Sequence, residues 1–396
     1  MKNPFKYNRL STWFFGIYLL LSPLDMALNI FNSGTILKYI GILTIFICVL
    51  ELIKNRVSIK LDRLQILIIF LFVYYLASVL WSDSEPRIGN AISIINLALF
   101  YCIMTMRGYT ENEYKFIRFF CLVGALIYSI YMIVNAKNLL LYERVTMGFG
   151  GELIDPNDMA ASLILPFFLG IQIIRQNSRN IFGKFAVVNV LIIGFAILLT
   201  VSRGALLSLI IGLIALVLFS SSVSMQKKCI GIVFSILICI MLYQLVEGYL
   251  PNTVKSRITL SQVLEDRASD RFTIWKNAFH LFSNSSVFRM LFGYGIANFP
   301  VLHLKIYGSY VATHNIFIQS LLEGGFIGLI LIMSIFTEAV RKTLSKHKWV
   351  MFGILIATII VSCSIETINK KFLWNALIFA SINIVSKSKI EESISQ

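Results

Sequence analysis

The chain has 396 residues, of which 57% are hydrophobic and 14% charged, and a formal net charge of +15. Apolar runs recur that are long enough to cross about 30 Å of hydrocarbon at about 1.5 Å per residue, which excludes a soluble protein of two or three ordinary domains. The positive charge would suggest nucleic acid in a soluble protein; here it follows membrane topology, and no nucleic-acid partner is expected.

In chain order the apolar runs predict an all-α, polytopic membrane protein of about twelve spans: 13–31, 35–53, 64–81, 88–106, 116–135, 158–174, 185–201, 204–222, 229–246, 313–337, 348–366 and 371–386. The first run is too long for a signal-peptide core and lacks a small-x-small cleavage site, so it is expected to stay in the mature protein. With the N-terminus inside, the inner segments carry twenty-one Lys and Arg and the outer ones, the long loop aside, only six. This asymmetry predicts cytoplasmic termini. Residues 1–396 read as one transmembrane domain with two notable outer loops, a short one at 136–157 and a long one at 247–312. The six cysteines (Cys48, Cys102, Cys121, Cys229, Cys239 and Cys363) lie in or beside apolar runs, match no metal or disulfide spacing, and read as small hydrophobes.

Three outer features carry polar chemistry. The short loop ends Asp155-Pro156-Asn157-Asp158 before an apolar run, where Asn157 or Asp158 suits an N-cap. Thr200-Val201-Ser202-Arg203-Gly204 joins two spans, with Ser202 as cap and Arg203 in the first helical turn. An arginine there opposes the positive end of the helix dipole; it either snorkels to the interface or meets an anion. The long loop, from Glu247 to Asn315, holds seven basic residues against four acids, a balance that suits an anionic substrate.

Within the long loop, residues 269–282 predict an amphipathic helix capped by Ser269 or Asp270. Phe272, Trp275, Phe279 and Phe282 form its aromatic stripe, and Arg271 stands beside Trp275 at i,i+4. Gly293 and Gly295 permit a tight turn. At the entry to the tenth span, His314 is either an interfacial histidine without catalytic work or a proton acceptor. Glu323, nine residues on, falls on the opposite helix face at about 13 Å greater depth, so the two share no relay. With Gly324, Gly325 and Gly328 it reads as close helix packing plus a buried hydrogen bond.

Ser202-Arg203-Gly204-Ala205-Leu206-Leu207, the Asp155-Pro156-Asn157 helix start, Arg271 with Trp275, Gly293-Tyr294-Gly295-Ile296-Ala297-Asn298-Phe299, and His314-Asn315 followed by Leu322-Glu323-Gly324-Gly325-Phe326-Ile327-Gly328 together resemble the O-antigen ligase and O-antigen polymerase superfamily. The resemblance covers the twelve-span layout, with its motifs concentrated between about 150 and 330. It implies a glycosyltransferase of the bacterial inner membrane, active on the periplasmic face. The donor it implies is a polyprenyl diphosphate-linked oligosaccharide, and the acceptor either a lipid-linked repeat or lipid A-core. A flippase and a chain-length regulator would be further partners. By the same resemblance Arg203 and Arg271 match the arginines that engage the diphosphate, and His314 matches the proposed catalytic histidine. Trp275, Asn315, Asp155 and Asn157 join them as candidate substrate-binding residues.

On this reading the two guanidinium groups stabilise the leaving diphosphate, and His314 takes the acceptor proton during a direct, inverting displacement. No metal site and no cofactor is expected. Polymerase is the first reading and ligase the alternative, although the paired-arginine loop repeats described for some polymerases are not evident. A lipid-linked glycan flippase is a more remote reading, because charge gathers at the outer edge and not along a central path.

Overall fold

The computed structural model describes residues 9–28, 35–56, 60–136, 148–149, 152–177, 179–220, 270–346 and 348–385, with isolated positions between 224 and 244. Most of the expected ninth span, the long loop as far as residue 269 and most of the short loop lie outside the described residues.

The described chain is helical: α1 Leu10–Leu21, α2 Ile36–Lys54, α3 Arg63–Ser78, α4 Arg87–Met106, α5 Glu111–Val134, α6 Pro156–Asn177, α7 Ile181–Leu199 and α8 Arg203–Phe219, then α9 Arg271–Ser283, α10 Val287–Phe292, α11 Phe299–Tyr307, α12 Ile316–Ser345, α13 Trp349–Ser362 and α14 Lys371–Ser381. Two short strand pairs accompany them, Gly108–Tyr109 with Asn383–Ile384 and Gly148–Phe149 with Glu152–Leu153. Among the described residues seven helices are long and apolar enough to cross a membrane: α2, α4, α5, α6, α7, α12, and α3 continued through Trp81. The apolar helices α8 and α13 are shorter.

Local chemistry fixes several ends. Asp62 and Thr110 each close a capping box, with Gln65 and Glu113 respectively, at the start of α3 and α5. Buried Glu113 then binds both Arg9 and Arg107, tying the start of α1 to the end of α4. The core is continuous across α1–α8 and α12–α14, while Ile274, Ala278, Leu281, Phe299, Ile318 and Leu322 form a satellite cluster under the loop helices.

Helix α12 is broken at Gly325, whose φ of 63° and ψ of −162° no side-chain-bearing residue adopts easily. The break withholds the usual i+4 partners from the carbonyls of Leu322 and Glu323, and the N–H groups of Tyr294 and Gly295 bind them instead, at 2.8 and 2.9 Å. Tyr74 Oη lies 2.9 and 2.6 Å from Phe292 O and Gly324 O, its single proton shared between the two carbonyls. The glycine-rich turn is thus plugged into the broken helix. Glu323 completes the dock: it is 3% exposed, accepts from Gln319 Nε2, and binds the N–H groups of Ala297 and Phe299. Close packing plus a buried hydrogen bond is what the sequence predicts for this acid, and it is what the fold contains.

Candidate active site

Four chain segments meet at one end of the bundle. The first begins α6. Asp155, not Asn157 or Asp158, is the cap: its Oδ1 accepts from the N–H and the Nδ2 of Asn157, both at 2.8 Å, with Pro156 as the first helical residue. Pro is suited to that position because its missing N–H would be unpaired there anyway.

The second segment begins α8. Ser202 caps it as expected, accepting from Ala205 N–H at 3.4 Å, and its hydroxyl donates to Asn157 Oδ1 at 2.7 Å. Asn157 therefore couples the two helix starts. Gly204 lets this end sit against Ser364, which a Cβ at 204 would strike. Arg203 projects from the first turn and is partly exposed.

The third segment is α9. Its buried face is Ile274, Ala278 and Leu281, flanked by partly buried Trp275 and Phe282. Phe272 and Phe279 are 59% and 52% exposed, so the four aromatics do not form one packed stripe. The three-four-three spacing spreads around a wide arc, and the smaller aliphatics between the rings take the inner face. Asp270 precedes the helix in the left-handed region and makes no side-chain cap hydrogen bond.

The fourth is the entry to α12. Asn315 caps that helix, its Oδ1 accepting from Phe317 and Ile318 N–H at 2.9 and 3.2 Å, while its Nδ2 donates to Cys363 O at 3.2 Å. Trp275 Nε1 donates to Thr313 O at 2.9 Å. Both polar groups of these two candidate substrate contacts are thereby engaged in holding the residues on either side of His314.

These segments bring Arg203, Arg271, His314 and Asp155 together. Arg271 lies in the fields of Asp155 and Arg203, and His314 in those of Arg271, Glu366, Asp155 and Asp158. Outside the span that starts at Ile316, burial pushes the His314 imidazole below its ordinary value, and Arg271 adds to that push. Glu366, Asp155 and Asp158 oppose it. A half-buried imidazole of this kind is neutral near pH 7 and can accept a proton. Burial likewise lowers Arg271, with Asp155 opposing and Arg203 adding to the shift. Two like guanidinium groups close together favour an anion between them.

Backbone strain gathers here as well. Val201, Asp270 and His314 have φ of 52°, 60° and 51°, three of the five positive-φ non-glycine residues among those described. For a β-branched valine this is a true outlier, and each such residue costs about 1–3 kcal/mol. Strain at His314, at the residue before Arg271 and two residues before Arg203 marks a site held by its surroundings.

Glu366 and Lys370 are the residues that sequence patterning missed. Glu366 accepts from Thr313 through both N–H and Oγ1, and Lys370 pairs with Asp158 at 2.6 Å. An acid at the end of an apolar run was the available signal. Beside that pair a cavity of about 80 Å³ is lined by Tyr128, Ile154, Asp158 and Lys370. Among the described residues no group of three or more His, Cys, Asp or Glu could hold a metal ion.

Residues 188–333 match the O-antigen ligase family. The match supports the O-antigen ligase and polymerase superfamily that the motifs resemble, and with it an O-antigen ligase-type or related polymerase-type activity. Less than half of the chain is matched, yet the matched stretch holds Arg203, Arg271, His314 and the Gly293–Gly325 dock. Asp155, Asn157 and Glu366 lie outside it. No curated protein matches the chain.

Proposed function

We propose that the protein is an inner-membrane glycosyltransferase that moves a glycan from a polyprenyl diphosphate donor to a sugar hydroxyl at the periplasmic face. The observation that carries this reading is the meeting of Arg203, Arg271 and a neutral, strained His314 at one end of a membrane bundle. Fixed guanidinium groups stabilise charge that develops on the leaving diphosphate, without a metal. His314 takes the proton of the attacking hydroxyl, and direct displacement inverts the anomeric centre. Asp155 and Asn157 hold the starts of α6 and α8, and Trp275 and Asn315 hold the His314 loop. Exposed Phe272 and Phe279 beside Arg271 offer an apolar surface to the polyprenyl chain. Twelve spans, cytoplasmic termini, one transmembrane domain over 1–396 and outer loops at 136–157 and 247–312 complete the proposed topology.

With a lipid-linked repeat as acceptor the enzyme is a polymerase of surface polysaccharide, working beside a flippase and a chain-length regulator. With lipid A-core as acceptor it is a ligase, and the family match serves that reading at least as well. Deleting the gene and resolving the surface glycan on a gel separates the two. One repeat left on the core indicates a polymerase; bare core with accumulated lipid-linked chain indicates a ligase. A His314→Ala protein that restores normal glycan at normal expression would sink the mechanism under either reading.

A further inference from the structure

At the end of the bundle opposite the Arg271–His314 cluster, α5, α6, α13 and α14 enclose a second cavity, of about 400 Å³. Its place follows from chain direction. The start of α6 and the far end of α13 meet the cluster, whereas Gln172, Arg175 and Gln176 near the end of α6 and Lys348 just before α13 line this cavity.

The lining is basic. Among the described residues Glu111 is its sole acid, and it lies 3.6 Å from Lys115 on the helix surface. Behind the amide side chains lies Arg118, 1% exposed, whose Nη1 donates to Gln172 Oε1 and Gln176 Oε1 at 3.0 and 2.8 Å. Tyr114 also donates to Gln172 Oε1, at 3.1 Å, and its ring stacks under the Arg118 guanidinium at 4.5 Å. The oxygens of both glutamines are thus engaged with Arg118, that of Gln172 with Tyr114 as well, and both residues line the cavity.

Among the described residues Arg118 Nε has no hydrogen-bond partner and no carboxylate pairs with this guanidinium. Glu111 is the acid whose field reaches this buried guanidinium, without a direct ion pair between them. A buried cation so weakly compensated is costly, and the field it adds to Arg175 and Lys348 favours an anion in the adjacent space. In the lining itself, the planar guanidinium of Arg175 is the group suited to phosphate oxygens. The rest of the wall is apolar and aromatic, with Trp349, Met351 and Phe379. It sits at the helix ends, the depth of lipid headgroups, where tryptophan and tyrosine concentrate.

We propose that this cavity binds a phosphate group carried by the head of an anionic phospholipid in the adjoining leaflet. The apolar wall takes the glycerol and upper acyl carbons, which a free phosphate does not have, and the basic rim takes the charge. None of these residues belongs to the proposed transferase site, so the inference does not depend on that reading.

The test uses full-length protein in a neutral detergent, titrated with phosphatidylglycerol or phosphatidylcholine and read by native mass spectrometry as lipid retained per protein. Phosphatidylglycerol should be retained about tenfold more strongly, the scale of one charge-assisted contact. The doubly substituted Arg175→Gln, Lys348→Gln protein should lose most of that preference. Arg175→Lys, which keeps the charge, and Lys115→Gln, on the exposed face, should retain it. Equal retention of both lipids by the unaltered protein, or an unchanged preference in a monodisperse double variant, overturns the proposal. Inorganic phosphate in large molar excess over the lipid supplies the last arm. Failure to displace the lipid supports a lipid-borne phosphate; full displacement overturns the lipid source and assigns the cavity to free phosphate.

Discussion

Glu366 holds Thr313 at two points, accepting from its backbone N–H and from its hydroxyl, both at 2.7 Å, 53 residues apart in the chain. The next residue is His314, whose left-handed backbone is sustained from one side by this grip and from the other by the Asn315 cap. Glu366→Gln keeps an oxygen that can accept both bonds but removes the charge. Since Glu366 raises the His314 imidazole against burial, its loss should move the acid limb of the rate profile to lower pH. The imidazolium formed during proton transfer also loses a counter-charge, which should cost about tenfold in turnover, or about 1.4 kcal/mol. Glu366→Ala, which also frees Thr313, should cost more. A glutamine variant with an unchanged rate and profile would remove Glu366 from the site.

The sign of the pH dependence follows from the same surroundings. His314 sits below its ordinary value because burial, then Arg271, disfavour the imidazolium. A general base works in its neutral form, so kcat/KM should rise with pH to a plateau and fall as pH drops through a value below 6.5. Replacing Arg271 with Gln removes a like charge and should move that limb upward, toward the ordinary value. A limb that moves downward would show that Arg271 does not act on His314.

The two arginines should separate in kinetics. Arg203→Lys keeps the charge but loses the planar fork that grips two phosphate oxygens, so activity should fall even though insertion is normal. Arg271→Ala should weaken donor binding and slow turnover together, by on the order of 10²-fold for one lost charge-assisted donor in a partly desolvated site. Purified protein and a lipid-linked donor suffice for both measurements. Full activity in Arg203→Lys would reduce that residue to an interfacial charge.

Orientation is tested by cysteine labelling in a background freed of native cysteines. Lys305 and Ser345 are both exposed and lie at the two ends of the α11–α12 segment. A thiol at 305 should react with an impermeant reagent added outside intact cells, and one at 345 should not. The reverse pattern would overturn cytoplasmic termini and the periplasmic site together.

Much of the site was legible because its parts sit on sharp composition changes. Ser202-Arg203 and Thr313-His314-Asn315 are polar punctuation between apolar runs, and the cap at Ser202 could be read directly. What pattern could not supply was partnership across distance. Asn157 meeting Ser202, Trp275 meeting Thr313 and Glu366 meeting Thr313 are tertiary contacts between segments 38 to 53 residues apart, and no local periodicity encodes them. The aromatic positions of α9 misled because spacing alone does not say which face is inner. The cap of α6 was shifted because Asn157 and Asp158 are as good N-cap residues as Asp155, and the position of Pro156 decides among them. The break in α12 was hidden because Gly324-Gly325 also suits close packing in a straight helix.

That break supports the most structural prediction. At Gly325 a side chain meets two penalties: a φ of 63° combined with an extended ψ, and collision of its Cβ with the carbonyl of Leu291 and the N–H of Gly293. Gly308 is the control, since its φ of 77° is similarly left-handed but none of the described residues lies within 4 Å of where a Cβ would stand. Gly308→Ala should cost about 1 kcal/mol, the strain of a left-handed residue alone. Gly325→Ala should cost several-fold more, because the Gly293–Gly295 turn must lift off the carbonyls of Leu322 and Glu323 and leave them unpaired in the interior. Activity should fall with it, since that turn leads through Glu323 and α11 to the His314 loop. Thermal unfolding in detergent, followed for both variants beside the transfer assay, reads the difference. Equal midpoints for the two alanines would mean that the turn is not docked into the break and that α12 needs no glycine there.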